Sequence, residues 1–383
     1  MSNEREKDYD AIRKDIERQC VLTYKPKKCY TSYTLFSSYM GNIFYLINME
    51  GNVVHTWRIR GGAKVGEILP DGHLMYGHMW NGLAEIDWNS KELWYYKCSQ
   101  HHDFAVVPNG HVMILCGIRG KDFPPRLILE ERRNPKVREE GPFATCYIIE
   151  VVPNTNEIVW EWWADEHIEE LKKIGVKFPI QADDIFHTNT CEVFPETKLG
   201  RQDSRFKAGN VLFNHKNLNV IGVINKSDGK IVWAWGPGIV DRPHMPTLIP
   251  EVHPITGEAL PGAGHFLIFD NGPNRGFSRV IELDPLSEKI VWECRPDGFW
   301  GSGGGGANRM PNGNTVICEG GFRGRRGRLF EVTPEEEIVW EYLTPYFDGI
   351  GGHEIYRCVR YPLHYIENIR EKHIQTEEII PLL

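Results

Sequence analysis

Short segments of alternating apolar and polar residues, rich in Val and Ile and separated by turn residues, run along most of this chain. One apolar hexapeptide recurs four times, as EIVWEW (157–162), KIVWAW (230–235), KIVWEC (289–294) and EIVWEY (337–342). Each copy follows a short alternating segment and a turn, so each predicts an antiparallel hairpin. A repeat at this spacing is typical of an array of similar structural units.

A second unit precedes these hairpins and contains two apolar segments around a glycine turn. Its copies are LPDGHLMY (69–76), VPNGHVMIL (107–115), PGAGHFLIF (261–269) and MPNGNTVIC (310–318), with KAGNVLF (207–213) as a weaker one. The two units together give four strands per repeat. This pattern predicts an all-β fold, a six-bladed β-propeller of four-stranded antiparallel blades. A sandwich of unrelated hairpins is the alternative, but it gives no reason for the tandem copies.

The predicted blades form one domain across residues 1–383. Five blades cover about 64–96, 102–163, 187–235, 244–294 and 305–342, and the sixth combines 353–361 with 30–58. The last blade is therefore closed by both termini of the chain. Short helical additions are expected at the ends, an N-terminal helix over 1–20 and a C-terminal helical tail over 363–383.

Charge and composition narrow the expected partners. Lys and Arg total 44 against 52 for Asp and Glu, a net charge of -8, so no nucleic-acid partner is expected. No apolar run approaches the roughly 18 residues of a membrane span, so no membrane partner is expected either. The nine cysteines include no CxxC pair, which favours reduced thiols and a cytoplasmic location. A homo-oligomer is compatible with this composition.

The predicted blades direct a group of histidines to one mouth of the central channel. The first strand of each blade lines that channel, and it begins near Lys64, His102, His187, His244, the glycine run 303–306 and His353. Neighbouring loops add Lys216, Asn217, Arg275 and Arg325. Cations around imidazoles suit an anionic ligand, because Lys and Arg match the oxygens of sulfate, phosphate or carboxylate groups. We therefore expect Lys64, Lys216, Asn217, Arg275, Arg325 and His353 to bind substrate.

Four segments, HHDFAVVPNG, DDIFHTNTCEVFP, RPHMPTLIP with HFLIFDNG, and KIVWAWGPG, resemble the bacterial arylsulfate sulfotransferases and their arylsulfotransferase-like relatives. The resemblance implies a six-bladed propeller that moves a sulfuryl group between phenolic compounds through a sulfurylated histidine, without a cofactor. By motif, His244 matches the nucleophile, and His102 and His187 match the histidines that hold the sulfate oxygens. Lys216 stands where the family has arginine. The expected partner is a small phenolic or anionic aromatic substrate.

Two other functions fit the same residues. A divalent metal held by the channel histidines would support a lyase or hydratase reaction on a phenolic or anionic aromatic substrate. A non-catalytic propeller would instead use the channel to bind an anion.

Overall fold

The β-strand is the main secondary structure of the chain, as the alternating pattern predicts. The structure, a computed structural model, describes residues 20–117, 145–178, 184–301, 303–321, 326–347 and 352–378. Its strands form six antiparallel sheets that surround a central channel. The prediction of a six-bladed β-propeller is confirmed.

Each blade contains four strands that follow one another from the channel to the rim. Blade 1 consists of β5 (Ala63–Ile68), β6 (Leu74–His78), β7 (Gly82–Ile86) and β8 (Glu92–Tyr96). Blade 2 consists of β9 (Gln100–Val106), β10 (Val112–Gly117), β11 (Cys146–Val152) and β12 (Glu157–Trp163). Blade 3 consists of β13 (Thr188–Val193), β14 (Val211–His215), β15 (Val220–Ile224) and β16 (Ile231–Trp235).

The remaining three blades repeat this order, with one additional strand. Blade 4 consists of β17 (His244–Leu248), β18 (Phe266–Asp270), β19 (Arg279–Asp284) and β20 (Lys289–Cys294). Blade 5 consists of β21 (Gly306–Arg309), β22 (Thr315–Cys318), β23 (Arg328–Val332) and β24 (Ile338–Leu343), and β1 (Val21–Tyr24) pairs with the outer edge of β24. Blade 6 consists of β25 (Ile355–Pro362), β2 (Ser32–Ser38), β3 (Ile43–Ile47) and β4 (Val53–Arg58).

Both ends of the chain close the ring in blade 6. Strand β25, from the C-terminal part of the chain, is the inner strand and pairs with β2 from the N-terminal part. Each inner strand contacts the inner strands of its two neighbours, from β5 through β9, β13, β17 and β21 to β25 and back to β5. The predicted closure by both termini is confirmed.

Apolar residues hold the blades together in six separate clusters, each formed between two adjacent blades. Blades 3 and 4, for example, share a cluster that includes Phe194, Trp233 and Phe266. Blades 6 and 1 share another, which contains Leu35, Phe44 and Leu74. A blade therefore buries its two faces only against its neighbours, which explains why similar segments recur in tandem.

The recurring tryptophan also joins neighbouring blades. The indole N–H of Trp94 donates to Asn156 Oδ1, that of Trp160 to the Lys226 carbonyl, that of Trp292 to the Pro334 carbonyl and that of Trp340 to the Met49 carbonyl. Each acceptor lies in the outer turn of the following blade. In blade 6, His55 takes this position and contacts the Trp88 carbonyl at 3.0 Å. Trp233, the copy in blade 3, makes no such bond among the described residues and instead packs in the cluster between blades 3 and 4. The repeated Trp therefore has a structural role between blades.

Helices are few and short. Helix α1 (Ile168–Lys173) follows a 3-10 turn at Ala164–His167, and α2 (Lys198–Gln202) precedes another at Ser204–Phe206. Helix α3 (Leu363–Glu378) lies in the predicted C-terminal tail, and its Ile366 and Ile369 pack into the cluster between blades 6 and 1. The helix predicted for 1–20 falls on residues outside the described ranges, apart from Cys20. None of the described helices combines the length and the apolar character needed to cross a bilayer.

Candidate active site

Irregular backbone places the histidines at one mouth of the channel. The pairing between the inner strand and the second strand of the blade shifts register near Lys64, His102, His187 and His244. His102 has φ 71 and His187 has φ 45, and Met245, which follows His244, has φ 44. Residues other than glycine rarely adopt such φ angles, and β-bulges of this kind change the direction of side chains. Backbone strain of this sort is typical of functional sites.

His244 is held in one tautomer by Asn271. The Asn271 amide nitrogen donates to the carbonyls of Gly301 and Gly304, the latter at 2.8 Å. Its oxygen therefore faces His244 Nδ1, 2.6 Å away, and accepts the Nδ1–H. The Nε2 atom is left with its lone pair, which among the described residues accepts one long bond, of 3.3 Å, from Gly304 N–H.

Three further groups form a hydrogen-bonded chain with His102 at its centre. Lys64 Nζ lies 2.8 Å from His102 Nδ1, and His102 Nε2 lies 3.0 Å from His187 Nε2. His187 Nδ1 contacts the carboxylate of Asp184, which also accepts the His187 backbone N–H at 3.1 Å. One proton assignment satisfies every contact. The Lys64 ammonium donates to His102, His102 Nε2–H donates to His187, and His187 Nδ1–H donates to Asp184.

Burial keeps the three histidines neutral. It lowers the pKa of His102 well below its ordinary value, and the neighbouring His101 and the Lys64 ammonium lower it further. Burial also lowers the pKa of His244 well below its ordinary value, with the charge of Lys216 adding to the effect. The pKa of His187 is lowered by burial although the hydrogen bond to Asp184 opposes the change. A neutral imidazole keeps a lone pair that can act as a nucleophile or base.

Lys216 and Asn217 lie beside this chain. The Lys216 backbone N–H donates to the His187 carbonyl at 3.3 Å, and the Asn217 amide donates to the Asp184 carbonyl at 2.6 Å. Burial lowers the pKa of Lys216 to about 8, and the charge of Arg242 acts in the same direction. Lys216 is therefore a cation near neutral pH that loses its proton in mildly alkaline solution.

An ion pair forms the floor of this site. Arg357 Nη1 lies 2.5 Å from Asp103 Oδ1, and Arg357 Nη2 donates to the Asn189 carbonyl at 2.6 Å. The second carboxylate oxygen of Asp103 accepts the backbone N–H of Cys191 at 2.9 Å. Both side chains of the pair are buried. The pair joins the inner strands of blades 2, 3 and 6 just below the histidines.

Two residues predicted to bind substrate, Arg275 and His353, are not joined to the histidine group. Arg275 folds back on its own loop, where its guanidinium lies 3.0 Å from Asp270 Oδ2. His353 precedes β25, and its Nδ1 contacts the Tyr346 carbonyl at 2.9 Å. Among the contacts of the described residues, none connects either side chain to His102, His187 or His244. Arg325 lies outside the described residues.

The sequence matches the family model described as arylsulfotransferase (ASST) over residues 68–344. This segment covers most of the chain and includes His102, His187, Lys216 and His244. The chain belongs to the arylsulfotransferase family. Lys64 and blade 6 lie outside the matched segment, so the family match does not reach every residue of the histidine group.

Solved structures support the fold of this arylsulfotransferase family member. It is similar to a protein of unknown function from Bacteroides caccae, with 13% identity and a TM-score of 0.53, over 86% of this chain and 98% of that chain. It is also similar to TolB from Acinetobacter baumannii, with 9% identity and a TM-score of 0.50, over 86% of this chain and 66% of that chain. No curated protein matches the sequence. Identities this low establish the propeller fold alone.

Sequence reasoning missed several groups of this arylsulfotransferase site. Tyr356 is the residue that blade 6 contributes, since its ring stacks 5.3 Å from His102 and lies 4.9 Å from Lys64 Nζ. Asp184 and Asn271, the partners of His187 and His244, were also missed. A signal existed for Asp184, because an acidic residue three positions before a histidine can reach its Nδ1. Tyr356 and Asn271 carried no local signal.

A group of three histidines in this family member has metal-ligand spacing. The ligand nitrogens of His101, His102 and His187 all lie within 4.8 Å of one another. Imidazole nitrogens suit zinc and other transition metals. The Lys64 ammonium on His102 Nδ1 and the nearby Lys216 add positive charge, which disfavours a bound cation.

Replacing Asn271 with leucine tests the assigned tautomer. We expect Asn271→Leu to lower the free energy of unfolding by about 1–3 kcal/mol, because two buried carbonyls lose their donor. Without the amide oxygen, His244 should exchange between both neutral tautomers, which the ¹⁵N NMR shifts of its ring nitrogens would detect. Asn214→Leu is the matched control, since Asn214 is equally buried and donates to the Pro243 carbonyl without touching the His244 ring. A pure Nδ1–H tautomer in Asn271→Leu would contradict the assignment.

Proposed function

We propose that this protein transfers a sulfuryl group from one phenolic compound to another through a covalent intermediate on His244. The observation that carries the proposal is the state of His244, a buried neutral imidazole whose Nδ1–H is fixed by Asn271. Its Nε2 lone pair is therefore set at the mouth of the channel, beside Lys216 and the His102–His187 pair. Membership in the arylsulfotransferase family supports the same reaction class.

In the first half of the proposed reaction, Nε2 of His244 attacks the sulfur of an aryl sulfate. The N–S bond forms as the bond between sulfur and the aryl oxygen breaks, and the electron pair leaves with the phenolate. Asn271 Oδ1 stabilises the positive charge that develops on the ring through the Nδ1–H. Lys64 and Lys216 supply cations for the oxygens of the sulfuryl group.

In the second half, an acceptor phenol takes the sulfuryl group. His187 is the proposed base, because Asp184 holds its Nδ1–H and leaves Nε2 as the proton acceptor. The acceptor hydroxyl replaces the His102 N–H at this nitrogen and gives up its proton there. The phenolate oxygen then bonds to sulfur, and the N–S electron pair returns to His244. His187 releases the proton to solvent before the next cycle.

Aromatic residues near the mouth favour a ring-containing substrate. The Trp80 ring lies 4.5 Å from the His101 ring, and the Tyr39 ring lies 5.0 Å from Lys64 Nζ. Offset stacking on such rings stabilises an aromatic ligand. Phenolic compounds and their sulfate esters are therefore the proposed substrate class.

The test of this proposal measures sulfuryl transfer from 4-nitrophenyl sulfate to phenol, as nitrophenolate release, from pH 6 to pH 10. We expect kcat/KM of the wild type to fall as pH rises through about 8, the value to which burial lowers the pKa of Lys216. The sign follows because the ammonium, present below that pKa, binds the sulfate oxygens. Lys216→Arg should remain active at higher pH, since a guanidinium keeps its charge.

Two results would contradict this account. A Lys216→Arg variant inactive at every pH would show that Lys216 exchanges a proton during turnover and does not act as a fixed cation. A wild type that releases no phenolate from a broad panel of aryl sulfates would overturn sulfuryl transfer itself. Arg60→Lys is a suitable control, because Arg60 is an exposed residue paired with Glu92.

A second candidate function rests on the His101, His102 and His187 group. If a divalent metal binds these nitrogens, the channel would support a metal-dependent lyase or hydratase reaction instead. Elemental analysis of the purified protein separates the two candidates. Stoichiometric zinc and loss of activity on chelation would favour the metal, whereas sulfuryl transfer unaffected by EDTA would favour the covalent histidine. A cytoplasmic location and a homo-oligomer remain predictions.

A further inference from the structure

A second chamber lies in the channel below the ion pair of Asp103 and Arg357. Its volume is about 770 Å³, which is large enough for a small organic molecule. The residues around it come from the C-terminal parts of the inner strands, among them Glu67 in β5, Glu192 in β13 and Thr247 in β17. His102, His187 and His244 do not line it. The chamber therefore opens toward the channel mouth opposite the histidine group.

Two carboxyl groups in this chamber have no cationic partner of their own. Glu192 Oε1 accepts the Leu248 backbone N–H at 3.1 Å. The Glu67 carboxyl makes no hydrogen bond or ion pair with any residue that the structure describes. The Glu67 side chain is exposed, and it lines the chamber from the channel side.

Every arginine of the chamber is already paired. Arg357 contacts Asp103 at 2.5 Å, Arg360 contacts Glu331 at 2.9 Å, and Arg309 contacts Glu282. If Glu67 and Glu192 are ionised, no arginine of the chamber is left to neutralise their negative charge. The other titratable groups facing them are Asp103, Tyr361, Tyr365 and His253. None of these four offers a fixed positive charge.

The confined channel, which limits the hydration of both side chains, accounts for the titration of the two carboxyls. Reduced hydration there raises the pKa of Glu67 to about 7 although its side chain is exposed to the chamber, and the charge of Asp103 acts in the same direction. Burial also raises the pKa of Glu192 to about 7, although the hydrogen bonds from Thr247 and Leu248 oppose the change. Each carboxyl ionises near neutral pH at a cost in desolvation, which a cationic ligand beside it would offset.

Much of the remaining chamber wall is apolar. The connection between β17 and β18 forms a small hairpin with a bridge from Val252 to Ala259, and its Ile255 and Leu260 line the chamber. Blades 1 and 2 connect the same strands by tight turns at Leu69–His73 and Val107–His111. Tyr365 of α3 adds to the wall, and its hydroxyl donates to the Ile68 carbonyl at 3.0 Å. The hairpin between β17 and β18 of blade 4 therefore adds an apolar wall that the tight turns of blades 1 and 2 do not provide.

We propose that this chamber binds a hydrophobic organic ammonium compound, with the ammonium between Glu67 and Glu192 and the apolar body against the hairpin of blade 4. An anion does not fit, because the arginines are paired and the two free groups are carboxyls. A metal ion fits poorly, because neither carboxyl belongs to a group of three or more ligand atoms within 4.8 Å of one another among the described residues. The site is independent of the proposed sulfuryl transfer.

The test is a calorimetric titration at pH 8 with 2-phenylethylammonium and two probes of the same shape, 2-phenylethanol and 3-phenylpropanoate. We expect the ammonium alone to bind. Glu67→Gln and Glu192→Gln should each weaken its binding roughly tenfold or more, and the double variant should abolish it. Affinity should fall as pH drops below 7, because the carboxyls gain protons there. Binding at pH 6.5 should release protons, seen as a dependence of the heat on the buffer.

Controls separate this site from the histidine group and from misfolding. His244→Ala should bind the ammonium compound as the wild type does, and its loss of binding would overturn the proposal. The Gln variants should melt at a higher temperature than the wild type at pH 8.5 but not at pH 5, since they lack a carboxyl whose ionisation disfavours the fold. If either variant fails to fold, two measurements on the wild type still test the proposal: proton release on binding, and the comparison with 2-phenylethanol. Equal binding of the alcohol, no proton release, or no binding by any of several arylalkyl and alkyl ammonium compounds would overturn the proposal.

Discussion

His244→Ala is expected to abolish nitrophenolate release from 4-nitrophenyl sulfate, because the nucleophile of the proposed reaction is removed. His102→Ala and His187→Ala should each retain a small rate, about 10²–10³-fold below the wild type, since the first removes the imidazole between Lys64 and His187 and the second removes the proposed base. Steady-state kinetics of the three variants under identical conditions give the comparison.

The control for this series is His265→Ala. His265 lies in the same blade, and its Nδ1 contacts Glu282 Oε1 at 2.6 Å, with no contact to the histidine group. The His265→Ala variant should have a lower free energy of unfolding but an unchanged kcat. Appreciable activity in His244→Ala, together with the loss of activity in His187→Ala, would assign the nucleophile to His187 and contradict the proposed role of His244.

The second large effect concerns the ion pair at the centre of the channel. Asp103→Leu should lower the free energy of unfolding by about 3–5 kcal/mol, because it leaves the buried Arg357 charge without its partner. The double variant Asp103→Leu with Arg357→Met should recover most of that loss, since it leaves no unpaired charge. Denaturant unfolding of the wild type, Asp103→Leu, Arg357→Met and the double variant completes a double-mutant cycle.

An exposed ion pair provides the matched comparison. Arg60 and Glu92 lie 2.9 Å apart, with side chains 58% and 34% exposed. Glu92→Gln should therefore lower the free energy of unfolding by no more than about 1 kcal/mol. If Asp103→Leu costs as little as Glu92→Gln, or if the double variant is as unstable as the single one, the ion pair does not hold the inner strands together as described.

Repetition in the sequence was sufficient to predict the architecture. The four IVW hairpins and the glycine turns before them predicted four strands per blade. The structure adds a reason for three of the four tryptophans, Trp160, Trp292 and Trp340, because each bonds to the next blade. The position of the sixth blade followed from closure of the ring, because β25 needed partners and only 30–58 remained unassigned. Strand β1 was not predicted, since it is short and extends the outer edge of an already complete blade.

The site was predictable only in part, because its details depend on local backbone irregularities. His102, His187, His244 and Lys64 were predicted at one mouth, and the structure places them together. His353 was chosen by analogy with these histidines, but β25 begins two residues later, so Tyr356 takes the position in the cluster. The chamber containing Glu67 and Glu192 was not predicted, since these residues come from different blades and only the closed ring brings them to one cavity.

The central claim is a covalent sulfuryl group on His244, and a trapping experiment tests it most directly. The wild type, mixed with excess 4-nitrophenyl sulfate and no acceptor, is quenched in alkali and digested for mass spectrometry. The account predicts a burst of nitrophenolate stoichiometric with the protein and a mass increase of one sulfuryl group on the peptide that carries His244, both absent from His244→Ala. Turnover without any sulfurylated peptide, or the sulfuryl group on a different residue, would contradict it.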